Sequence, residues 1–507
     1  MKLRTPLRVF LLACLAGIAG THLIAQRSVP SSLRSFDPSG WTVPDRIQAV
    51  ENGLISTPII IAGQPVHRFS LSDAMKRNNV PALSIAVVDN YKLSWAKGYG
   101  VTDITTRTPV TPETLFSAGG ITKTVTAVTV LRLVQEGKLN LDADVNSILT
   151  SWKIPPDQFT EGHPVTLREL LSHSSGFDAH YPDDFDPRGK IPTLLEMLRG
   201  EPPSTFRPVH IQFQPGTSFD YSSEAFLVVQ QALEDAMHEP FPEIVKQEVL
   251  DPAGMTHSTF DQPTASKPDP DRATGYIGGP DGQLQPRIVA FAELGSSGLW
   301  TTPSDLARLL INLQQSGQPG SLLSASMYLQ MLKPVVNNVG LGIFLGGKGD
   351  DLYMRVRGSD GRPNDPFVAW MTGFVHAGQG AVIMANCPNA FTVGFSLLRS
   401  VALQYGWRDY VPTKHVIAVN PKIYALYVGK YRLGLNVVTI STDGKTLFGQ
   451  MDTSPEVPLY PLSNGSFFVN VDLLHEVSIV FMHKPNEPAQ EIDLHYPYDS
   501  YRAPRIQ

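Results

Sequence analysis

Cysteine is almost missing from this chain. Only Cys14 and Cys387 occur among its 507 residues. Cys14 lies in an N-terminal segment that we expect to be removed, so the mature chain would keep one cysteine and form no internal disulfide bond. Cys387 follows a predicted strand and has no histidine or basic residue next to it in the sequence. This setting predicts a buried thiol without a catalytic role.

An excess of positive charge is also missing. The chain carries 41 Lys and Arg residues against 47 Asp and Glu residues, a formal net charge of −6. Lys2, Arg4 and Arg8 lie within residues 1–25, and their removal leaves 38 basic against 47 acidic residues, or −9. Nucleic acids are bound by basic surfaces, so we expect no nucleic-acid partner.

A long apolar run is the third absence. The segment VFLLACLAGIAG is too short to cross a bilayer, and no later segment has the length of a transmembrane span. A basic start, a short apolar stretch and a small residue at Ala25 together predict a secretory signal peptide over residues 1–25. The protein is therefore expected in the periplasm or outside the cell. An uncleaved N-terminal anchor and lipidation of Cys14 are the alternatives.

The spacing of the apolar residues predicts a large domain over residues 26–410, with strands at both ends and helices in the middle. ALSIAVV and KLSWAKGYG predict two strands within residues 82–100, joined by a turn at Asp89-Asn90. Apolar residues then recur every three positions up to Gly137, which predicts a buried helix with a C-terminal cap. The other predicted elements are helices at 165–177, 223–237 and 303–315 and a strand at 378–386.

Residues 421–507 form a predicted second domain, after a linker at 411–420. Alternating apolar residues dominate this segment, and Asp443-Gly444 between VVTIS and KTLFGQM is a strong hairpin signal. The segment has the length of a small domain. We therefore expect a small all-β domain there.

Several stretches in a fixed order make the chain similar to a known family. The stretches are VPALSIAVVDN, WAKGYGVTD, VTPETLFSAGGITKTVTA, VTLRELLSHSSGF, FQPGTSFDYSSEAF, LDPAGMTHSTF, SSGLWTTPSDLARLL, GLGIFLGGKGD and GQGAVIMAN. With them, over roughly residues 75–390, the chain resembles the serine β-lactamase-related family, which includes class C β-lactamases, DD-peptidases of the penicillin-binding-protein type and related esterases. The resemblance implies an α/β fold: an antiparallel sheet flanked by helices, with a helical subdomain. The tail at 421–507 resembles the β-rich domains appended to many such proteins.

The first motif that the resemblance implies is S-x-x-K at the start of a buried helix. A serine three residues before a lysine lies on the same helical face, so the amine can take the hydroxyl proton. The helix N-terminus favours the negative charge that develops. Here Lys123 is present, but Gly120 stands at the position of the serine. The alternative is an ordinary turn into a helix, for which Gly119-Gly120 would also be suitable.

The second motif is Y-x-N, which here is Tyr221-Ser222-Ser223. The resemblance implies that the tyrosine acts as a base or proton relay and that the asparagine holds the substrate amide. Ser223 replaces the asparagine with a shorter side chain that can donate one hydrogen bond. The alternative for Tyr221 is a buried, hydrogen-bonded core tyrosine.

The third motif, K-T-G or H-x-G, belongs on a strand beside the nucleophile and can be placed in two registers. One register puts Asp360 at the position of the cation and Arg362 at the position of the second glycine. There Arg362 would fill the room that a glycine leaves for substrate along the strand edge. The other register places Arg357-Gly358-Ser359 at the motif. An alternative for the first is a solvent-exposed salt bridge between Asp360 and Arg362, which would contribute little stability.

Other serines are poorly placed to supply the missing oxygen. Ser117 lies six residues before Lys123, Ser174 and Ser175 lie at a predicted helix end, and Ser223 would need a rearranged pocket. His173 and His180 lack the spacing of metal ligands, so neither a metal nor another cofactor is expected.

The altered motifs predict a family member that is impaired or inactive as a hydrolase. A peptide or small carboxylate is the expected ligand, held in the former active-site cleft by backbone N–H groups and the Lys123 ammonium. An envelope protein partner could bind through residues 421–507, with the large domain as a scaffold. The alternative is an active esterase, DD-peptidase or β-lactamase-like hydrolase that uses a non-standard nucleophile or an activated water.

Overall fold

The computed structural model describes residues 40–178, 185–205, 207–264, 269–278, 282–359, 362–470, 477–496 and 500–506. Within these ranges, no helix combines the length and the apolar character that crossing a membrane requires. The expected signal peptide at 1–25, His180 and Asp360 all lie outside the described residues.

Helices and strands are mixed along the described chain up to residue 427, and the elements after it are strands. The α-helices are α1 (Val43–Asn52), α2 (Leu71–Arg77), α3 (Thr122–Gln135), α4 (Leu167–Leu171), α5 (Leu194–Arg199), α6 (Glu224–Met237), α7 (Phe241–Val245), α8 (Asp251–Ala253), α9 (Leu294–Ser297), α10 (Pro303–Gln314), α11 (Ala325–Leu332), α12 (Ala390–Tyr405) and α13 (Tyr424–Tyr427). The strands are β1 (Ile60–Ile61), β2 (Ala82–Asp89), β3 (Lys92–Gly100), β4 (Phe116–Ser117), β5 (Gly275–Gly278), β6 (Leu284–Arg287), β7 (Trp300–Thr301), β8 (Phe344–Gly346), β9 (Tyr353–Arg357), β10 (Val368–Phe374), β11 (Gly380–Ala385), β12 (Thr413–Lys414), β13 (Gly429–Leu433), β14 (Asn436–Thr442), β15 (Leu447–Met451), β16 (Val457–Pro461), β17 (Phe467–Val469), β18 (Val477–Met482), β19 (Glu491–His495) and β20 (Ser500–Pro504).

Packing divides the chain into two compact units. The large unit consists of residues 71–394, and the small unit of the described parts of 1–70 and 395–507. Within the small unit, β12 lies in the segment 411–420 and pairs in parallel with β1. The domain boundary drawn from the sequence at 411–420 stays a prediction.

The large unit is built on a six-stranded antiparallel sheet in the order β3-β2-β11-β10-β9-β8. Strands β10 and β11 are buried along their whole length, which explains their continuous apolar sequences. The predicted strands at 82–100 and 378–386 are confirmed as β2, β3 and β11. Because β2 pairs with β11, the two ends of the predicted domain do complete one sheet.

Three long helices of the large unit follow the sequence pattern closely. The helix predicted up to Gly137 is α3, whose residues are nearly all buried. The predictions at 223–237 and 303–315 are confirmed as α6 and α10. The helix predicted over 165–177 was too long, because α4 ends at Leu171.

The early end of α4 has a local cause. The helix begins with a capping box between Thr166 and Glu169. It stops because His173 takes a left-handed conformation, with φ of 55°. The His173 carbonyl oxygen accepts a hydrogen bond from the Asp220 N–H, so a distant segment holds this turn.

The small unit contains an eight-stranded antiparallel sheet that runs from β13 to β20 in chain order. Its two outer strands approach each other, since the Ile506 N–H donates to the Lys430 carbonyl oxygen at 2.7 Å. The inward side chains of the sheet pack around Tyr424 and Tyr427 of α13. The predicted fold class, an α/β domain followed by an all-β domain, is confirmed.

Candidate functional site

The start of α3 is the position where the sequence lacks the expected serine. A 3₁₀ turn over Gly119–Ile121 leads into the helix, and Gly119 has a φ of 49°, which a glycine adopts without strain. The Gly120 N–H donates to the Gly358 carbonyl oxygen at 2.7 Å. Neither a side-chain oxygen nor a free backbone amide is therefore offered by residue 120.

Lys123 is the second residue of α3 and is buried, with 2% of its surface exposed. Its ammonium donates to the Ser296 hydroxyl at 2.9 Å and to the Ser296 carbonyl oxygen at 3.3 Å. It also lies 5.1 Å from the centre of the Tyr221 ring. Burial lowers the pKa of Lys123 from 10.5 to about 7; the Glu293 carboxylate raises this pKa, and Arg362 lowers it further.

Ser296 is the site residue that the sequence analysis missed. It lies on α9, which two other hydrogen bonds hold against the core: Thr126 Oγ1 donates to the Gly295 carbonyl oxygen at 2.7 Å, and the Gly295 N–H donates to Gln230 Oε1 at 2.9 Å. Ser296 is separated from Lys123 by 173 positions in the chain. The SSGL segment carries family resemblance, but no spacing rule connects it with Lys123.

Tyr221 and His173 stand beside the lysine. A Cβ atom built on Gly120 would lie 3.0 Å from the Tyr221 hydroxyl oxygen, so the structure brings Gly120, Lys123 and Tyr221 together. The ring of His173 lies 4.4 Å from that of Tyr221, and its Nδ1 accepts a hydrogen bond from the Ser222 N–H at 3.2 Å. Burial lowers the pKa of His173 to about 3, so the ring is neutral at physiological pH.

Ser223, at the asparagine position of the second motif, is fully buried at the start of α6. Its hydroxyl makes no hydrogen bond to any described residue. The neighbouring Ser222 performs the capping, since its Oγ accepts from the Ala225 N–H at 3.1 Å. Ser223 is thus buried, and its hydroxyl makes no hydrogen bond to Lys123.

The strand beside the start of α3 is β9, which ends at Arg357. Gly358 directly follows and contacts Gly120, so the register Arg357-Gly358-Ser359 is the one that adjoins position 120. Arg362 lies beyond the strand and pairs with Asp365 at 3.4 Å, while the Ser359 hydroxyl donates to the same carboxylate. A salt bridge from Arg362 to Asp360 falls outside the described residues.

Two other candidate serines take part in local hydrogen bonds, and the candidate cysteine is buried. Ser117 Oγ accepts a hydrogen bond from the Gly119 N–H at 3.3 Å, and the Ser174 hydroxyl lies 2.9 Å from that of Ser172. Burial raises the pKa of the Cys387 thiol to about 12, which keeps it protonated and unreactive. Within the described ranges, no group of three His, Cys, Asp or Glu side chains could hold a metal ion.

Comparison with known proteins places these residues in a family context. The model of the β-lactamase family matches residues 70–400, well over half of the chain. Protein flp of Staphylococcus aureus (strain N315) is 26% identical over 230 residues, which are 45% of this chain and 43% of flp. The putative penicillin-binding protein PbpX of Bacillus subtilis (strain 168) is 26% identical over 264 residues, 51% of this chain and 61% of PbpX. The chain thus spans less than two thirds of either relative.

Among solved structures, the octameric penicillin-binding protein homologue from Pyrococcus abyssi has a TM-score of 0.58 and is 22% identical. The similarity covers 85% of this chain and 98% of that one. At this identity the likeness concerns the fold alone. The match over residues 70–400, with Lys123 and Tyr221 gathered at the start of α3, shows that this chain belongs to the β-lactamase family.

Proposed function

We propose that this chain is an exported, non-hydrolysing member of the β-lactamase family that binds a carboxylate-bearing ligand. The observation that carries the proposal is at Gly120, which has no side-chain oxygen and whose amide is bonded to Gly358. Export rests on the signal-peptide pattern of residues 1–25.

Loss of turnover follows from the chemistry of acyl transfer. A covalent acyl-enzyme requires an attacking atom, and Gly120 supplies only hydrogen. In an unrelated serine protease, removal of the nucleophile lowers turnover about a million-fold. A second requirement is a set of donors that point at the developing oxyanion, and the Gly120 N–H is already occupied.

The ligand class follows from the charges near the start of α3. Lys123 and Arg362 are both cations and interact electrostatically, and the Arg362 side chain is 37% exposed. Because Lys123 is buried and donates to Ser296, we place the ligand outside the helix start, beside Arg362 and the half-buried Tyr221. One relative is named a putative penicillin-binding protein, and penicillins carry a carboxylate.

Calorimetric titration with benzylpenicillin and with an acyl-D-Ala-D-Ala peptide tests the binding. We expect reversible binding that Arg362→Gln weakens at least about five-fold, since a charge-assisted hydrogen bond contributes more than 1 kcal/mol. The control is Arg502→Gln, which removes an exposed guanidinium from the C-terminal sheet. Absence of heat with both compounds would contradict the assigned ligand class.

Incubation with a fluorescent penicillin, a chromogenic β-lactam and a p-nitrophenyl ester tests the absence of turnover. The wild type should carry no covalent label and should hydrolyse neither substrate faster than the Lys123→Ala variant. Turnover that disappears in Lys123→Ala or Tyr221→Phe would overturn the non-hydrolysing assignment.

One observation favours a second candidate, an active hydrolase that uses Ser296. The Lys123 amine lies 2.9 Å from the Ser296 hydroxyl, and its lowered pKa leaves part of it neutral near pH 7, as a general base must be. Full burial of Ser296 opposes this role. Mass-spectrometric mapping of a fluorophosphonate adduct to Ser296, lost in Ser296→Ala, would establish the second candidate.

A further inference from the structure

Three glycines meet where β9 reaches the start of α3. A Cβ atom on Gly119 would lie 2.3 Å from the Gly358 carbonyl oxygen, and one on Gly358 would lie 2.5 Å from the Ala118 carbonyl oxygen. On Gly120, a Cβ atom would lie 2.8 Å from the Arg357 carbonyl oxygen. Atoms do not approach this closely without displacement, and all three obstacles are backbone atoms.

The strand side of this contact is anchored in the sheet. The Gly358 N–H donates to the Ala369 carbonyl oxygen at 2.8 Å, which extends the pairing of β9 with β10 by one residue. The carbonyl oxygen of the same residue, Gly358, accepts a hydrogen bond from the Gly120 N–H. Moving residue 358 away from α3 would therefore break the end of a central ladder.

The Gly120 N–H and the Gly358 carbonyl oxygen, which bond to each other, are backbone groups of the kind that a covalent reaction would need. Oxyanion stabilisation depends on a backbone N–H that points at an empty position and receives the substrate oxygen there. At residue 120 that position holds a carbonyl oxygen of the chain itself. The Gly358 carbonyl oxygen, one residue past the end of β9, is occupied by the Gly120 N–H and is not available to an extended ligand.

We propose that residues 118–120 and 357–358 form an autoinhibitory contact, the glycine clasp, which closes the former active site independently of the missing hydroxyl. The close approach of the two segments then requires glycine at position 120, because a side chain there would collide with the Arg357 carbonyl oxygen. The inference goes beyond the proposed function, because it concerns what a restored hydroxyl would do.

The test is Gly120→Ser, with Gly278→Ser as the matched control. Position 278 has no neighbouring atom within 4 Å of a built Cβ and belongs to the same unit. Overpacking at residue 120 should lower Tm by roughly 2 to 8 °C, while the control should stay within about 1 °C of the wild type. Fluorescent penicillin should not label Gly120→Ser.

If Gly120→Ser did not fold, its labelling by penicillin could not be interpreted. The contact is therefore also measured in the wild type. Hydrogen exchange at the Gly120 amide should be as slow as in the core of α3, because this N–H is bonded and buried. Fast exchange, an unchanged Tm of Gly120→Ser, or penicillin labelling of its new side chain would each overturn the clasp. The proposed function fails on different results: wild-type turnover, or no ligand binding.

Discussion

Lys123 is an ionisable side chain kept in the interior of the large unit by hydrogen bonds to one residue. Its ammonium meets the Ser296 hydroxyl and carbonyl oxygen, and two aromatic rings, Tyr221 and Phe226, face it at 5.1 and 5.7 Å. Glu293 is fully buried and attracts the charge. Because this lysine is buried, its charged form carries a desolvation penalty.

The penalty predicts a pH-dependent stability. Lys123 titrates near pH 7 in the folded chain and near 10.5 in the unfolded one. Between these values the unfolded state binds more protons, so raising the pH should stabilise the fold. Lys123→Met should remove this gain, which amounts to between about 1 and 4 kcal/mol from pH 7 to pH 10. Urea unfolding at several pH values measures it.

An exposed lysine provides the control for that series. Lys76→Met changes the same groups at the surface of α2 and should leave the pH profile of stability unchanged. If Lys123→Met shows the same dependence on pH as the wild type, the buried ammonium does not titrate as described.

Glu224 should make the stability of the fold depend on pH with the opposite sign. Burial raises its pKa to about 8, the negative charge of Asp178 raises it further, and Arg207 opposes the shift. The folded state therefore holds a proton that the unfolded state loses near pH 4.5, and stability falls as the pH rises from 4.5 through 8. Glu224→Gln should gain on the order of 2 kcal/mol over the wild type between pH 5 and pH 8. Thermal unfolding across this range, with the exposed Glu113→Gln as control, would show the difference.

At the scale of elements, α9 is a single helical turn held by side chains of its neighbours. Thr126 of α3 donates to the Gly295 carbonyl oxygen, and the Gly295 N–H donates to Gln230 of α6. Lys123 donates to Ser296. So short a helix is not stable by itself. Its position is therefore decided by α3 and α6.

Thr126→Val tests this dependence. The change keeps the shape of the side chain but leaves the buried Gly295 carbonyl oxygen without its donor, which should cost about 1 to 3 kcal/mol in the free energy of unfolding. Thr129→Val is the matched control on the same helix: its hydroxyl bonds only to the Val125 carbonyl oxygen one turn back, and less than about 0.5 kcal/mol should be lost. Equal losses of unfolding free energy in the two variants would show that the hydrogen bond from Thr126 to α9 does not stabilise the fold.

At the scale of the whole molecule, the small unit joins distant parts of the chain. Ile59 and Ile61 pack against Phe468 on the outer face of the C-terminal sheet, and Asn470 Nδ2 donates to the Ile59 carbonyl oxygen at 3.1 Å. The segment near residue 60 thus depends on strands that are made more than 400 residues later. The C-terminal sheet consequently serves as a support for part of the N-terminal region.

Truncation after residue 420 should expose this apolar surface. We expect dye binding by exposed hydrophobic groups and self-association of the truncated chain in size-exclusion chromatography. Leu435→Ser in the full chain is the control, since Leu435 lies at a hairpin tip and is 80% exposed. A truncated chain that stays monomeric and keeps the wild-type Tm would contradict the supporting role.

Helices and strands in which apolar residues recur regularly could be predicted from the sequence. Helix ends and hydrogen-bond partners that depend on distant residues could not. Continuous apolar residues identified β2 and β11, and the three-residue period identified α3, because burial requires those patterns. The end of α4 was missed because its last turn is decided by a hydrogen bond from Asp220 to His173. In the site, resemblance brought Gly120, Lys123 and Tyr221 together, but the hydrogen bond of Lys123 to Ser296 depends on packing.

The order of residues alone shows a lysine on the first turn of a buried helix and no side-chain oxygen three residues before it. Resemblance of the motifs indicated the family, and the periods of the apolar residues indicated the two kinds of domain, because local burial imposes those periods. Tertiary packing was needed to show that the amide of residue 120 donates to the Gly358 carbonyl oxygen and that the amine of Lys123 donates to Ser296. Those partners lie more than 170 residues away, and only packing sets the distances between them.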